Sequence, residues 1–336
     1  MVSGAMAGSV MTPMKFMRKY HYEQYWVVYS LTGTVLIPWG LAVAAVPDLL
    51  GAYGHLPWRV LLLPPSCAFS WGIASMLAGL CVSRIGLSLS YALVIGVGAS
   101  AGLLVPISYF SPQTFRTPAG YLILLGVAVM IGGLALVTRA GQQRERSSQG
   151  QLATATNSAS YHRDRYFLWV VMATVAGVLS AGLNFSFAFG QEVARAAQAA
   201  GASGTSATYA VWSLAMMGGM VPNLGYPIIL CARNNSWRLF ASSPKTDIPL
   251  GVLMGVLFMG STAVYGAGAL RLGVLGASVG WGIMQIMQIV VGNLFGFLTG
   301  EWKAAHSGSV RLVLAGLGVL VIASMLIAFG NYLYVG

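Results

Sequence analysis

Nine stretches of this chain, at residues 25–47, 60–82, 86–110, 119–138, 167–190, 207–232, 248–270, 274–299 and 310–334, are predominantly apolar and each at least 20 residues long. A helix rising about 1.5 Å per residue crosses the hydrocarbon of a bilayer in about 20 residues, so every stretch is long enough. No water is available there to satisfy the backbone, so a segment of this length must be a helix. Charge is scarce for the same reason: 7% of the 336 residues are charged and 57% are hydrophobic, against about 25% charged in soluble domains. The expected fold class is all-α, a polytopic membrane protein. Residues 1–14 carry no charged side chain but are too short to cross unaided. They are counted as span 1, either a partial helix or one that begins before the first residue given, which makes about ten spans. Lys15, Arg18 and Lys19 follow this first apolar stretch instead of preceding it. That is not the order of a cleavable signal peptide, and the N-terminus is expected to be retained.

Charge then orients the spans. The loops after odd-numbered spans hold Lys15, Arg18, Lys19, Arg84, Arg139, Arg144, Arg146, Arg163, Arg165, Arg233, Arg238, Lys245, Lys303 and Arg311, fourteen of the eighteen basic residues. The loops after even-numbered spans hold Arg59, Arg116, Arg195 and Arg271. Positive charge accumulates on the cytoplasmic side, which places the odd loops inside and both termini outside. Although the net charge is +11, these cations form no single stripe of the kind that binds nucleic acid. Anionic membrane lipid is the expected partner. The polar stretch 139–166 reads as a cytoplasmic linker between a first five-span repeat, 1–138, and a second, 167–336. An odd number of spans per half forces the halves into opposite orientations, a recurrent transporter arrangement. Weak matches support it. Ser83-Arg84-Ile85-Gly86 opens span 4 and Leu270-Arg271-Leu272-Gly273 opens span 9, while spans 5 and 10 share glycine-punctuated runs around Gly126 and Gly316.

Little in the chain can do covalent chemistry. Cys67, Cys81 and Cys231 lie in or at the end of apolar segments without metal-ligand spacing, and read as packing or lipid-facing residues. His21, His55, His162 and His306 belong to loops or span edges, and no GxxxxGK[ST] phosphate loop is present. No enzyme activity, metal or other cofactor is expected. Uncharged polar residues within spans are the remaining candidates, because each is costly in hydrocarbon unless it faces the bundle interior. Trp281, Gln285, Gln288 and Gly292 recur at intervals of four, three and four on one face of span 9. A ring beside two amides suits a sugar, covering its C–H face while the amides exchange hydrogen bonds with its hydroxyls; interhelical packing is the alternative. Span 6 offers Ser180 and Asn184 one turn apart, with Gln191 two turns further on. Asn223, next to Pro222, and Asn293 complete the candidate lining.

Trp26, Trp39, Trp71, Trp212, Tyr29, Tyr91 and Tyr265 read first as anchors or packing. Pro38, Pro64, Pro65, Pro106, Pro222 and Pro227 lie within spans and each frees a carbonyl, marking either a break near a substrate path or a simple kink. Only seven acids are available to couple protons. Asp48, Glu145, Asp164 and Asp247 are expected to be solvated loop residues. Glu192 is expected to couple or to pair with Arg195. Glu23 and Glu301 are expected to gate, or to pair with Lys15, Arg18 or Lys303.

Several segments together resemble the bacterial L-rhamnose:proton symporters of the drug/metabolite transporter superfamily. They are Thr12-Pro13-Met14-Lys15 with Lys19, Glu23 and Trp26, then Leu36-Ile37-Pro38-Trp39, the exit from span 5 through Gly132-Gly133 and Val137-Thr138-Arg139-Ala140-Gly141-Gln142, and Glu301-Trp302. The resemblance implies ten helices in an inverted five-plus-five arrangement, a sugar site between the halves, and proton-driven uptake across a bacterial inner membrane, which with the charge-derived orientation puts the C-terminus in the periplasm. It also implies structural or gating roles for Pro13, Lys15, Glu23, Trp26, Pro38, Trp39, Arg139, Glu301 and Trp302. The chain departs from the pattern in its short span 1 and in having no acid near Trp281, and both departures bear on the coupling ion and the sugar. The reading is a secondary transporter importing a deoxysugar, most simply L-rhamnose, with protons. A carrier for another small polar metabolite and a non-transporting membrane sensor are the alternatives. The candidate substrate ligands are Trp281, Gln285, Gln288, Asn184, Ser180 and Asn223; the candidate coupling or gating residues are Glu23, Glu192, Glu301 and Lys15.

Overall fold

A computed structural model describes residues 1–152, 166–303 and 305–335. Among them all regular structure is helical. Nine helical segments are long and apolar enough to cross a membrane: Tyr22–Ala45, Trp58–Val82, Ser88–Phe110, Pro118–Glu145, Tyr166–Ala199, Gly204–Arg233, Pro244–Arg271, Gly276–Leu298 and Ser307–Tyr334. They are spans 2 to 10, and each lies where an apolar stretch predicts it. Span 1 is the short helix Val2–Ser9. It lies against spans 8 and 9, where Ser3 Oγ donates to the Ser261 carbonyl at 2.8 Å. Gly8 allows the close approach, because a Cβ there would meet the Gln288 carbonyl at 2.7 Å and the Gly292 nitrogen at 3.0 Å.

Two spans are interrupted. In span 2 a π-helical segment, Leu31–Leu36, joins the helices Tyr22–Ser30 and Ile37–Ala45. Pro38 has no N–H for the carbonyl four residues earlier, and π turns are a common way to absorb such a mismatch. Span 6 is divided at Ala181 and Gly190 into Tyr166–Ser180, Gly182–Phe189 and Gln191–Ala199. Gln191 therefore leaves the face shared by Ser180 and Asn184, and its amide donates to the Phe187 carbonyl at 2.8 Å. The helices of spans 3, 4 and 7 continue through Pro64, Pro65, Pro106, Pro222 and Pro227.

The helix of span 5 runs on to Leu152, so the stretch expected to be linker from Arg139 onward begins as helix. Arg163, Asp164 and Arg165 lie outside the described residues. Spans 5 and 10 pack antiparallel. Gly126 faces the Ala323 carbonyl, Gly316 meets Gly133 and Val137, and Gly330 meets Ala119 and Ile123, with backbone atoms about 3 Å from where a Cβ would stand. The buried core does not divide at the middle of the sequence. One cluster joins residues of spans 2, 3, 6, 7, 8 and 9, among them Trp281 and Met284; the other joins spans 4, 5, 9 and 10. Each draws on both halves, so the halves interlock.

The odd loops meet on one face. Lys15 forms an ion pair with Glu301, which also pairs with Arg144 at 2.9 Å. These contacts join the loop after span 1, the end of span 5 and the loop after span 9. Three acids expected to be merely solvated are structural. Asp247 is fully buried and its carboxylate accepts the backbone N–H groups of Arg18, Lys19 and Tyr20 at 2.9–3.0 Å. Beside it, burial first and then the Asp247 charge push the Tyr20 phenol above its ordinary value. Glu145 accepts the Ser88 backbone N–H at 3.0 Å and hydroxyl at 2.8 Å, which satisfies an otherwise open donor at the start of span 4. Asp48 caps the helix Leu49–Gly54 through the Gly51 N–H at 3.0 Å.

Candidate functional site

Trp281 is buried near the start of span 9, and its indole N–H donates to the carbonyl of Gly98, halfway along span 4, at 3.2 Å. One layer toward the even-loop face, Tyr265 of span 8 donates to Asn184 Oδ1 at 2.5 Å and reaches the Ala277 carbonyl at 2.6 Å. The Asn184 amide nitrogen donates to the carbonyls of Gly102 at 2.7 Å and Ala277 at 3.2 Å. Gly102 stands four residues before Pro106, whose missing N–H leaves that carbonyl open. Asn184 thus supplies the donor that span 4 lacks and ties spans 4, 6, 8 and 9 together. Phe187 stacks on Trp212 at 5.3 Å and meets Tyr265 edge-on at 5.3 Å, while Trp281 meets Tyr265 edge-on at 5.9 Å. The result is a packed seal of four aromatic rings around one saturated amide.

A reciprocal contact crosses the halves in the other direction. Pro227 leaves the Asn223 carbonyl open in span 7, and Ser30 of span 2 donates to it at 2.9 Å. Asn223 is itself buried, with its side-chain amide on the Gly219 carbonyl at 3.0 Å. Ser180 donates to the Gly177 carbonyl at 2.7 Å and Asn293 to the Ile289 carbonyl at 2.9 Å. Below the seal, toward the odd-loop face, span 9 presents Gln285 and Gln288. Neither amide has a hydrogen-bond partner among the described residues. Gly292, at the end of the same stripe, packs near Gly8 of span 1.

The candidate coupling residues lie in different surroundings. Glu23 is buried at the start of span 2 and accepts from Asn234 Nδ2 at 3.1 Å and Ser236 Oγ at 3.0 Å. Both donors follow span 7, so this carboxylate bridges the halves. Glu192 and Arg195 are both exposed, and no salt bridge joins them. Glu301 sits between Lys15 and Arg144. Burial pushes its carboxyl upward, but the Lys15 ammonium and the Arg144 guanidinium outweigh that effect and hold it below its ordinary value. Arg144 also lies over the Trp302 ring at 4.8 Å. Among the described residues no group of three His, Cys, Asp or Glu side chains could hold a metal ion.

The model of the family described as L-rhamnose-proton symport protein (RhaT) matches residues 1–332. The chain belongs to this family. It is similar to the L-rhamnose-proton symporters of Salmonella typhi and Pectobacterium atrosepticum, at 26% identity over 338 positions, covering 98% of this chain and 96% and 95% of theirs. The match to these symport proteins runs through both halves of the chain. Two elements of the site escape a linear reading of the chain. Asp247 stands at a span border, where a solvated acid and a buried one look the same. The link from Asn184 to Gly102 becomes visible only when the carbonyl left open by Pro106 is matched to a donor on another span.

Proposed function

We infer that the chain imports L-rhamnose together with protons by alternating access, with the odd loops cytoplasmic and the two five-span halves related by inversion. The observation that carries the reading is the pair of unpartnered amides, Gln285 and Gln288, on the span 9 face that begins at Trp281. An amide without a partner inside a membrane protein is costly, and a polyol supplies both the donors and the acceptors it needs. The names of the relatives support the same substrate. With the even-loop side sealed, the sugar-binding face is directed toward the odd loops, which the charge distribution assigns to the cytoplasm. Glu23, buried where span 2 meets the end of span 7, is the candidate carrier of the coupling proton.

The test is uptake by purified protein in vesicles, comparing L-rhamnose with other hexoses, with and without an imposed pH gradient. Rhamnose accumulation that depends on the gradient is the expected result. Absence of rhamnose uptake would reject the substrate, and accumulation indifferent to the gradient would reject the proton.

A further inference from the structure

Tyr22, Tyr25 and Tyr29 are spaced three and four residues apart on span 2 and share one of its faces. Their rings form a continuous aromatic surface with Trp26, which stacks on Tyr22 at 5.2 Å and meets Tyr29 at 5.0 Å. Tyr226 of span 7 approaches Tyr22 at 6.5 Å. Tyr91 of span 4 lies within electrostatic reach of Tyr22, Tyr25 and Tyr29. Its side chain is nevertheless 42% exposed. Tyrosines of three spans therefore gather on the odd-loop side of the seal, Tyr22 and Tyr29 standing about 10 Å apart along span 2 at 1.5 Å per residue.

None of these five hydroxyls has a hydrogen-bond partner among the described residues. Packing alone would be served as well by phenylalanine, whose ring carries no polar atom to satisfy. The other buried tyrosines among the described residues have engaged hydroxyls: Tyr53 with the Ala210 carbonyl and Ser213, Tyr265 with Asn184, Tyr20 with the Phe240 carbonyl. A phenol can donate one hydrogen bond and accept others, and its ring covers C–H surface. Such a cluster is complementary to a molecule with several hydroxyls around an apolar face.

Resting on the transport reading, we propose that the space between Tyr22, Tyr25, Tyr29, Tyr91 and Tyr226 is a binding subsite for the sugar. The phenol hydroxyls take its hydroxyl groups and Trp26 covers its C–H face. It lies on the cytoplasmic route, and it adds to the span 9 amides a second set of groups that distinguish a hydroxylated ring from an apolar solute.

The experiment measures equilibrium binding of L-rhamnose to the purified full chain by calorimetry and uptake by the same protein in vesicles. The variants are Tyr29→Phe, Tyr91→Phe and the double variant, with Tyr332→Phe, exposed on span 10, as control. Each single change removes one hydroxyl and keeps the ring. Binding is expected to weaken about three- to tenfold per hydroxyl, with KM rising in parallel, the maximal rate retained, and thermal unfolding and Tyr332→Phe unchanged. Wild-type affinity and KM in the double variant, in a preparation whose wild-type protein transports rhamnose, would overturn the subsite and leave the transport reading standing. A wild-type protein that neither binds nor moves rhamnose would overturn the transport reading, and the subsite with it.

Discussion

Asn184 closes the even-loop side of the molecule with both polar atoms of its amide, accepting from Tyr265 and donating to the carbonyls of Gly102 and Ala277. Alternating access requires this set of bonds to open, so removing one of them should move the population toward the even-open state by at most the energy that distinguishes the two states. Tyr265→Phe deletes one donor and keeps the ring. In a background with Cys67, Cys81 and Cys231 replaced, a cysteine introduced by Ala277→Cys should react about tenfold faster with an impermeant thiol reagent from the even-loop side when Tyr265→Phe is added; an unchanged rate would remove Asn184 from the gate. Gln285 differs from Asn184 in having no partner among the described residues. Gln285→Ala is expected to raise the KM for rhamnose by roughly tenfold, while Gln198→Ala, on the exposed face of the helix Gln191–Ala199, leaves it unaltered. Equal effects at both positions would mean that the span 9 amides pack and do not bind.

At the scale of elements, two contacts set which spans are coupled, and both begin with a proline. Pro106 leaves Gly102 open to Asn184, and Pro227 leaves Asn223 open to Ser30. In hydrocarbon an open carbonyl finds its donor within the protein or from cavity water, so each proline fixes a neighbour as well as a bend. Asp247 performs a similar service for a loop, gathering three successive N–H groups between span 1 and span 2 onto the start of span 8. Asp247→Ala leaves those donors without their acceptor and is expected to cost about 2 to 4 kcal/mol, read as a lower unfolding temperature in detergent, with Asp247→Asn intermediate. The spans themselves are legible in the chain because the bilayer imposes a one-dimensional requirement of length and apolarity. The pairing of spans 5 and 10 shows through the shared glycines Gly126 and Gly316 for a related reason, since close packing in lipid selects small residues. Contacts such as Asp247 with residues 18–20 join positions more than 200 residues apart. The tyrosines of span 2 fall near a membrane border, where rings are frequent whatever they face. Composition carries no information about either arrangement.

For the whole molecule, the question is which carboxylate responds to pH while the halves move. Glu301 joins a carboxylate of the second half to two cations of the first, Lys15 and Arg144. Because those cations hold its carboxyl below the ordinary value, the stabilisation from this pair is complete above the ordinary carboxylate range. It is lost only as pH falls through the lowered folded value. Between about pH 5 and 8, above the ordinary Glu value, the tie from Glu301 to the two cations is therefore retained in this conformation. Glu301→Gln should change the rate of uptake by a factor that is the same across that range, because it removes the tie at every pH. Glu23 also bridges the halves, but its partners are the neutral donors Asn234 and Ser236, so protonation there changes the charge buried at the contact. Glu23→Gln is expected to flatten the pH dependence of rhamnose uptake and abolish accumulation against a gradient, while exchange of labelled for unlabelled sugar continues. If the flattening appears in Glu301→Gln and not in Glu23→Gln, the proton travels by the loop after span 9, and the buried contact between spans 2 and 7 is structural.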